Sequence, residues 1–352
     1  MARAYPAEDL DFVLAHTPAF FSRFGGARVL VTGGTGFIGS WLVQALQHAN
    51  DTLAAGLELV VLTRDVARTR AQAGAVFERP DTQLIQADVG RALPPIGRFD
   101  LCIHAATDVG DPGRAGDPLQ QYATIVDGTR RVLDLALTAG TRRLLLVSSG
   151  AIYGPQPPTL DGIAEDYAGA PNPLAPAQAY GNSKRMAEWL ACAYTQQAGA
   201  GALEACIARI FAVVGPGLPF DGPFAAGNFI RDTLAGRPIV IQGDGRPQRS
   251  FLYMSDLCIW LLRMLDVGRA GDAYNVGGQH AVSIAELAHA VVAAAGTDTP
   301  IDIRGTADPT KSAPRYLPDT RKARSTLGLD DYTPLDLALR KTLAWTRAAR
   351  AA

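Results

Sequence analysis

The stretch Val29-Leu-Val-Thr-Gly-Gly-Thr-Gly-Phe-Ile-Gly39 decides the fold of this chain. The apolar run 27–32 has the length and flanks of a buried strand, and residues 37–47 have the pattern of a helix. Glycines between such a strand and helix allow a tight turn, let the backbone approach a pyrophosphate, and let helix and strand pack closely. The helix start adds N–H donors and the positive end of a dipole. The stretch therefore predicts a dinucleotide-binding turn.

Short apolar strands alternate with helical patterns along the first part of the chain, which predicts an α/β fold with a Rossmann-type, doubly wound parallel sheet. An N-terminal helical extension is expected over 1–26, with one short helix over 7–22, where apolar residues recur at helical spacing. The dinucleotide-binding domain is expected over 27–211, with segments near 250–278 returning to it. A smaller, mixed α/β substrate lobe is expected over 212–352. The further predicted strands are 57–62, 83–86, 101–104 and 144–147, and the further predicted helices are 124–139, 180–197, 228–234, 284–294 and 335–348.

The composition excludes several classes of function. The 352 residues include 33 basic and 34 acidic side chains, and a net charge of −1 disfavours broad binding to nucleic acid or to an anionic membrane. No apolar run approaches the roughly 18 residues that a membrane span needs, and the N-terminus lacks a signal-peptide pattern. The four cysteines form no CxxC, and no His or Cys pair has ligand spacing, so we expect no structural metal and a cytoplasmic location.

The end of the second strand bears on the choice of cofactor. The strand ends Leu62-Thr63-Arg64-Asp65, without an acid at the usual ribose-binding position. A guanidinium suits a 2′-phosphate, so Thr63 and Arg64 favour NADP within an NAD(P) assignment. Two alternatives stay open: Asp65 could reach a ribose hydroxyl, and Arg64 could be an ordinary solvated surface residue.

A Ser–Tyr–Lys group is the candidate catalytic machinery. Tyr180 and Lys184 are four residues apart on a predicted helix and so share one face. A tyrosine with a pKa of about 10 is a poor base at neutral pH, but a neighbouring ammonium lowers that pKa. Ser149, after the strand 144–147, could donate a hydrogen bond to a substrate oxygen.

These motifs resemble the extended short-chain dehydrogenase/reductases, and most of all the NAD(P)-dependent nucleotide-sugar epimerase/dehydratase branch. The resemblance covers about residues 27–350. The motifs that carry it stand in the family's order: Thr32-Gly-Gly-Thr-Gly-Phe-Ile-Gly39, His104-Ala-Ala-Thr107, Ser148-Ser-Gly-Ala-Ile-Tyr-Gly154, Tyr180-Gly-Asn-Ser-Lys184, Arg209-Ile-Phe, Arg249-Ser-Phe-Leu-Tyr-Met-Ser-Asp256, Tyr274-Asn-Val-Gly277 and Pro318-Asp319.

The resemblance implies a role for each matching residue. The catalytic group would be Ser149, Tyr180 and Lys184, the last two also touching the cofactor. The other cofactor residues would be Gly33, Gly36, Phe37, Ile38, Gly39, Thr63, Arg64, Asp88, Val89, Ala105, Ala106 and Thr107. The substrate, a nucleotide-diphosphate sugar, would be held by Thr107, Ser149, Gly150, Asn228, Arg249 and Arg315. Arg249 is a candidate diphosphate ligand independently of the resemblance, because an arginine can bind phosphate oxygens bidentately. A surface ion pair is the alternative.

Departures from the family pattern narrow the reaction. The 4,6-dehydratases carry an Asp-Glu pair after the catalytic hydroxyl residue, and the nucleotide-sugar decarboxylases keep the Glu. Here Gly150 and Ala151 stand there, and neither can move a proton. This disfavours a dehydratase or decarboxylase and favours an epimerase or a 4-keto-sugar reductase. Ile125 and Ala212 replace two asparagines frequent in the family, so a supporting hydrogen bond and a substrate contact are in doubt.

Two other classes of function remain open at this stage. A reductase of a non-sugar carbonyl is disfavoured by Arg249, since a neutral ligand needs no diphosphate site. A dinucleotide-sensing regulator often lacks the Tyr or the Lys, and this chain keeps both. The family's habit implies a homodimer formed through the helices near 124–139 and 180–197.

Overall fold

A seven-stranded sheet forms the centre of the molecule in the computed structural model, which describes residues 4–107, 117–199, 201–222 and 224–351. All six of its strand pairs are parallel. The strand order is β11-β6-β5-β4-β1-β2-β3, so the chain reverses direction across the sheet between β1 and β4. Its strands are β1 (Arg28–Thr32), β2 (Glu58–Thr63), β3 (Thr82–Gln86), β4 (Leu101–His104), β5 (Arg143–Ser149), β6 (Glu204–Ile210) and β11 (Ala273–Val276).

Alternate residues of each central strand enter two different cores. Val29 and Val31 pack into the core on one face, and Leu30 packs into the core on the other. Both faces are thus covered by helices, which confirms the Rossmann-type prediction. The helices are α1 (Ala7–His16), α2 (Pro18–Phe24), α3 (Phe37–Leu53), α4 (Val66–Phe77), α5 (Pro118–Tyr122), α6 (Gly128–Thr138), α7 (Ala179–Ala198), α8 (Ala225–Leu234), α9 (Met254–Val267), α10 (Ile284–Ala295), α11 (Arg321–Leu327) and α12 (Leu335–Ala351). None of the described helices is both long and apolar enough to cross a membrane.

A smaller lobe lies beside the sheet and has its own apolar core, which α8, α10 and α12 share. Its short strands form three small sheets, β10-β7, β12-β9-β14 and β13-β8. Residues 254–276 belong spatially to the main sheet, because α9 is buried against it and β11 is its edge strand. The lobe's strands are β7 (Ala212–Val214), β8 (Ile239–Ile241), β9 (Gln248–Arg249), β10 (Phe251–Tyr253), β12 (Val282–Ser283), β13 (Ile301–Ile303) and β14 (Arg315–Tyr316).

Several elements differ from the sequence-based expectations. The single N-terminal helix predicted over 7–22 is wrong, since the chain breaks at Thr17 and restarts at Pro18. The helix predicted over 124–139 begins instead with a π-helical turn, Ala123–Asp127. Strand β5 runs through Ser149 rather than ending at Val147. Elements α4, β6 and α9 had not been assigned from the sequence.

The N-terminal helices are anchored to both parts of the molecule. The Tyr5 ring stacks on Trp41 with a centroid distance of 4.1 Å, and its hydroxyl bonds to Ser40 Oγ at 2.6 Å, in the first turn of α3. Asp9 is 2% exposed and accepts hydrogen bonds from Tyr253 Oη at 2.6 Å and Lys341 Nζ at 2.5 Å. The extension therefore holds the start of α3 and joins the sheet to the last helix.

We predict that Asp9→Ala lowers the free energy of unfolding by about 2 kcal/mol, because it leaves the buried Tyr253 hydroxyl without its acceptor and Lys341 with Glu8 as its remaining carboxylate. Asp11→Ala is the matched control: its carboxylate is 64% exposed and bonds only His48 on the surface, so a loss of about 0–1 kcal/mol is expected. Urea unfolding of both variants measures the difference. Equal losses would contradict the anchoring role of Asp9.

Candidate active site

The glycine turn after β1 is a place where no side chain fits. A Cβ on Gly33 would lie 2.6 Å from the Ala105 carbonyl carbon, and one on Gly39 would lie 2.1 Å from the Gly33 oxygen. Gly33 also has a φ of +69°, which L side chains rarely adopt. Gly36 is the extended residue that precedes α3, and its N–H donates to the Gly33 oxygen. The backbone of β1, α3 and the β4 end is therefore in direct contact.

This turn has the features that a dinucleotide needs. Phe37 and Ile38 begin α3, so the helix start with its outward N–H groups faces the ends of β1 and β4, where the strand order reverses. Ala105 and Ala106 lie directly against Gly33. Thr107 Oγ1 is buried and has no hydrogen-bond partner in the part of the chain that the structure describes. A buried, unpartnered hydroxyl beside the cradle fits a residue that binds a ligand.

At the end of β2, the Thr63 side chain makes a hydrogen bond within the protein, whereas the resemblance implies a contact with the cofactor. The Thr63 hydroxyl bonds to Thr69 Oγ1 at 2.8 Å, inside the protein. Asp65 caps α4 by accepting the Arg68 N–H at 2.9 Å, so its carboxylate already has a structural task. Arg64 is exposed at the end of the strand.

His104 links three elements under the cofactor cradle. It bonds to Thr32 Oγ1 at 2.6 Å and to Thr129 Oγ1 at 3.0 Å, and Thr32 Oγ1 accepts the Ala106 N–H at 3.3 Å. Burial, with a smaller contribution from the Lys184 charge, lowers the pKa of His104 to about 3. His104 is therefore a neutral structural link between β1, β4 and α6.

Asp88 and Val89, which the resemblance assigns to the cofactor, follow the end of β3. Asp88 accepts the Gly90 N–H at 2.9 Å, which turns the chain after β3. Val89 is buried and packs against Gly128 at the start of α6, where a Cβ would come within 3.0 Å of it. Asp88 and Val89 therefore lie at the same edge of the sheet as the glycine turn.

The three candidate catalytic residues meet at the end of β5. Ser149 is the last residue of β5, and Tyr180 and Lys184 lie on α7, which packs against that strand. Lys184 Nζ donates to the Val147 oxygen at 2.8 Å and lies 5.9 Å from the centre of the Tyr180 ring. Ser149 Oγ accepts the Ala151 N–H at 3.2 Å. The structure thus brings the three residues together.

The electrostatics of this group are set by burial. Burial lowers the pKa of Lys184 to about 8, and the Glu188 charge partly opposes the shift. Burial raises the pKa of Tyr180, and a hydrogen bond with Ser149 opposes that shift. The bond with Ser149 therefore stabilises the phenolate form that a base requires.

Gly150 is covered by two aromatic side chains. A Cβ at Gly150 would lie 2.7 Å from the Tyr316 hydroxyl and 2.7 Å from Phe211 Cζ. Gly150 is also buried, so its backbone, and no side chain, is all it can offer. The space that an aspartate would need after Ser149 is filled by Tyr316 and Phe211.

The predicted substrate residues of the second lobe are not all on one face. Arg249 lies with its guanidinium 5.3 Å from the centre of the Tyr316 ring, and burial lowers its pKa. Arg315 instead pairs with Asp161 at 2.9 Å, and strand alternation directs it away from the face that Arg249 and Tyr316 share. Asn228 Nδ2 donates to the Gly222 oxygen at 3.3 Å.

Glu188 and Tyr316 were not predicted from the sequence as residues of the site. Glu188 is buried, accepts the Ser148 hydroxyl at 2.5 Å and pairs with Arg209 at 2.8 Å. Its position four residues after Lys184 was the available signal, because that spacing places it on the same helix face. Tyr316 gave no signal of its own, since its approach to Ser149 depends on the pairing of β14 with β9. No cluster of three metal-ligating side chains occurs in the described ranges.

Comparisons with known proteins agree with this geometry. A model of the NAD dependent epimerase/dehydratase family matches residues 29–277. UDP-glucuronic acid decarboxylase 1 of Xenopus tropicalis is 30% identical over 328 residues, which cover 93% of this chain and 74% of that protein. The structure of MoeE5 in complex with UDP-glucose and NAD is 29% identical, with a TM-score of 0.73 over 92% of this chain and 99% of that one. UDP-glucose 4-epimerase of Thermotoga maritima shares the fold, at 20% identity and a TM-score of 0.76 over 92% of this chain and 99% of that one.

We predict that Gly33→Ala lowers the affinity for NAD(P) by a factor on the order of 100, because the added methyl group pushes Ala105 and Ala106 out of the cradle. Calorimetric titration with the cofactor measures the loss. Gly26→Ala is the matched control, since Gly26 has a similar φ of +76° but no heavy atom within 4 Å of a Cβ. If both variants bound the cofactor as weakly as each other, backbone strain rather than the cradle would be responsible.

Proposed function

The chain belongs to the NAD-dependent epimerase/dehydratase family, and from this membership we propose that it is a nucleotide-sugar C4 epimerase or 4-keto-sugar reductase. It is an enzyme of the extended short-chain dehydrogenase/reductase type, and it uses NAD(P). The observation that carries the finer proposal is the filled space beside Ser149: Tyr316 and Phe211 occupy it, and Gly150 and Ala151 provide no acid or base there.

The proposed mechanism needs only the residues at the end of β5 and on α7. Bound NAD(P) supplies the nicotinamide that accepts and returns a hydride. Tyr180, as the phenolate, removes the proton of a sugar hydroxyl while the hydride leaves the same carbon, and Ser149 polarises the oxygen. Lys184 contributes the positive charge that favours the phenolate. An epimerase lets the ketone turn and take the hydride back on its other face, whereas a reductase runs the step once toward the alcohol.

The substrate proposed for this chemistry is a UDP-sugar. The structure of MoeE5, at 29% identity, has been solved in complex with UDP-glucose and with UDP-glucuronic acid. Arg249, partly desolvated above the Tyr316 ring, is a cation of the second lobe that suits a diphosphate. Arg315 would have to leave Asp161 before it could contribute.

A second candidate is decarboxylation, because the curated relatives at 30–32% identity are UDP-glucuronic acid decarboxylases. The similarity to these decarboxylases supports this candidate at least as strongly as Gly150 and Ala151 count against it. The chemistry is feasible without an acid-base pair: once C4 is a ketone, a carboxylate on C5 stands β to it. The bond to the carboxylate carbon can then break, carbon dioxide leaves, and the electron pair enters an enolate that Ser149 and Tyr180 stabilise. A water-eliminating dehydratase stays a further alternative, disfavoured because Gly150 and Ala151 do not supply the acid and base that elimination needs.

The preference for NADP stays a prediction from the sequence. Its support is the exposed position of Arg64 at the end of β2 and the engagement of Asp65 in the cap of α4. MoeE5 was solved with NAD, which weighs in the other direction. Titrations with both dinucleotides decide between them: tighter binding of NAD would contradict the preference.

We predict that Tyr180→Phe reduces turnover about a hundredfold to ten-thousandfold while cofactor affinity stays near that of the unchanged protein, because only the proton acceptor is removed. The assay incubates the purified protein with UDP-, dTDP-, CDP- and GDP-sugars and 4-keto sugars and follows nicotinamide absorbance and products. Persistent turnover of the true substrate by the variant would refute the mechanism. Inactivity of the unchanged protein on the whole panel would favour a non-sugar carbonyl substrate instead.

We further propose a homodimer formed through α5 and α7; α7 is one of the two segments that the resemblance implies, and α5 takes the place of the other, 124–139. Leu119 and Tyr122 on α5 are 81% and 48% exposed, and Met186 and Trp189 on α7 are 44% and 62% exposed. Helices α5 and α7 pack on each other, and residues 186 and 189 share one helix face. Large apolar side chains grouped in this way are typical of an interface.

Sedimentation should show a dimer that Trp189→Glu converts to monomer, and a monomer in the unchanged protein would contradict the proposal.

A further inference from the structure

A row of polar side chains crosses three strands of the sheet beside the catalytic group. Ser148 of β5 is paired with Arg209 of β6, and Arg209 is paired in turn with Asn275 of β11. Paired residues of neighbouring parallel strands point to the same face of a sheet. The residues two positions earlier on β5 and β6, Leu146 and Ile207, belong to the apolar core that α7 covers. Polar groups buried at the edge of such a core need hydrogen-bond partners.

Arg209 makes most of the hydrogen bonds in this row. Its Nη2 donates to Glu188 Oε2 at 2.8 Å, and its Nε lies 3.2 and 3.1 Å from the two oxygens of the same carboxylate. Its Nη1 donates to Tyr153 Oη at 2.7 Å and to the backbone oxygen of Glu165 at 2.9 Å. One planar guanidinium thus joins helix α7 to the turn after β5, a geometry that a lysine ammonium does not reproduce.

These bonds hold the chain on both sides of the candidate catalytic serine. Ser148, immediately before Ser149, donates its hydroxyl to Glu188 Oε1 at 2.5 Å. Tyr153, at the end of the 3₁₀ turn that follows Ser149, accepts the bond from Arg209. Glu188 lies on α7, as do the other two catalytic residues. The pair of Arg209 with Glu188 therefore bears on how far Ser149 stands from them.

Asn275 ties the same turn to the segment that leaves the second lobe. Its side chain is fully buried, and its Oδ1 accepts the Tyr153 hydroxyl at 2.8 Å. Its Nδ2 donates to the backbone oxygens of Ile163 at 2.7 Å and Asp319 at 3.1 Å. Asp319 lies three residues after the end of β14. The turn after Ser149 is consequently fixed from the sheet and from the second lobe.

We propose that Arg209 is a positioning residue for the hydride-transfer step: it keeps the Ser149 hydroxyl at the distance from the Tyr180 oxygen that the reaction needs. It does so by holding Glu188 of α7 and Tyr153 of the turn on one guanidinium. A misplacement of about 1 Å between reacting groups can cost a factor of about 100 in rate. This inference rests on the proposed roles of Ser149 and Tyr180, but not on the identity of the sugar.

The test is Arg209→Lys, which keeps the positive charge but replaces the planar fork with a single ammonium. Crystal structures of the variant and of the unchanged protein should differ by about 0.5–1 Å in the separation of the Ser149 and Tyr180 oxygens. On a turned-over substrate, kcat should fall about tenfold to a hundredfold, with KM and the cofactor Kd little changed.

Arg143→Lys is the matched control. Arg143 pairs with Glu204 at 2.6 Å on the same two strands, five residues before Ser148, and it also donates to three backbone oxygens at and just after the end of α9. Both variants should unfold at a lower urea concentration than the unchanged protein, but only Arg209→Lys should lose kcat. An unmoved Ser149 in Arg209→Lys, or an equal loss of kcat in both variants, would overturn the inference.

Tyr153→Phe keeps the inference testable if Arg209→Lys does not fold. It removes only the hydroxyl between Arg209 and Asn275 and leaves the pair of Arg209 with Glu188 in place. The separation of the Ser149 and Tyr180 oxygens should change, and kcat should fall about fivefold, the equivalent of one hydrogen bond. An unchanged separation would overturn the inference. The crystal structures need no substrate, so a failure of the proposed sugar chemistry would show in the product assay and not in them.

Discussion

The contact between the Gly33 carbonyl and the backbone of Gly39 is the constraint on which the structure depends. The oxygen lies 2.1 Å from where a Cβ of Gly39 would stand, so helix α3 can approach β1 only because that residue is glycine. The same turn places Gly33 against the end of β4. The start of α3, the reversal of the strand order and the Thr107 hydroxyl, which has no hydrogen-bond partner among the described residues, are consequently brought to one edge of the sheet.

The catalytic group uses the same edge at a neighbouring strand. Strand β5 ends at Ser149, and α7 crosses it with Tyr180 and Lys184 one turn apart. Burial works against both ionised forms needed there, since it raises the pKa of Tyr180 and lowers that of Lys184 to about 8. Hydrogen bonding by Ser149 and the charge of Glu188 oppose those shifts. The site therefore depends on its hydrogen bonds more than on exposure to water.

Much of this arrangement could be predicted from the sequence, because its signals are local. The glycine turn and the Tyr–Lys spacing each follow from a few adjacent residues, and the family pattern orders them. The contributions of Tyr316 and Phe211 could not be predicted, since they depend on how β14 pairs with β9 and how the second lobe meets β5. The weakly periodic helix α4, which contains Gly74 in a non-helical conformation, was missed for a related reason: neighbours, rather than its own pattern, stabilise it.

Whether the sugar substrate loses any atoms in the reaction depends on the residues around Ser149. Because Tyr316 and Phe211 fill the space after Ser149, we propose hydride transfer at one carbinol carbon and no elimination. Mass spectrometry of the products formed from UDP-glucose, UDP-glucuronic acid and a UDP-4-keto-sugar tests this most directly. A product that keeps every carbon and oxygen atom of its substrate is the predicted result. A product lighter by one carbon dioxide or one water would contradict the account.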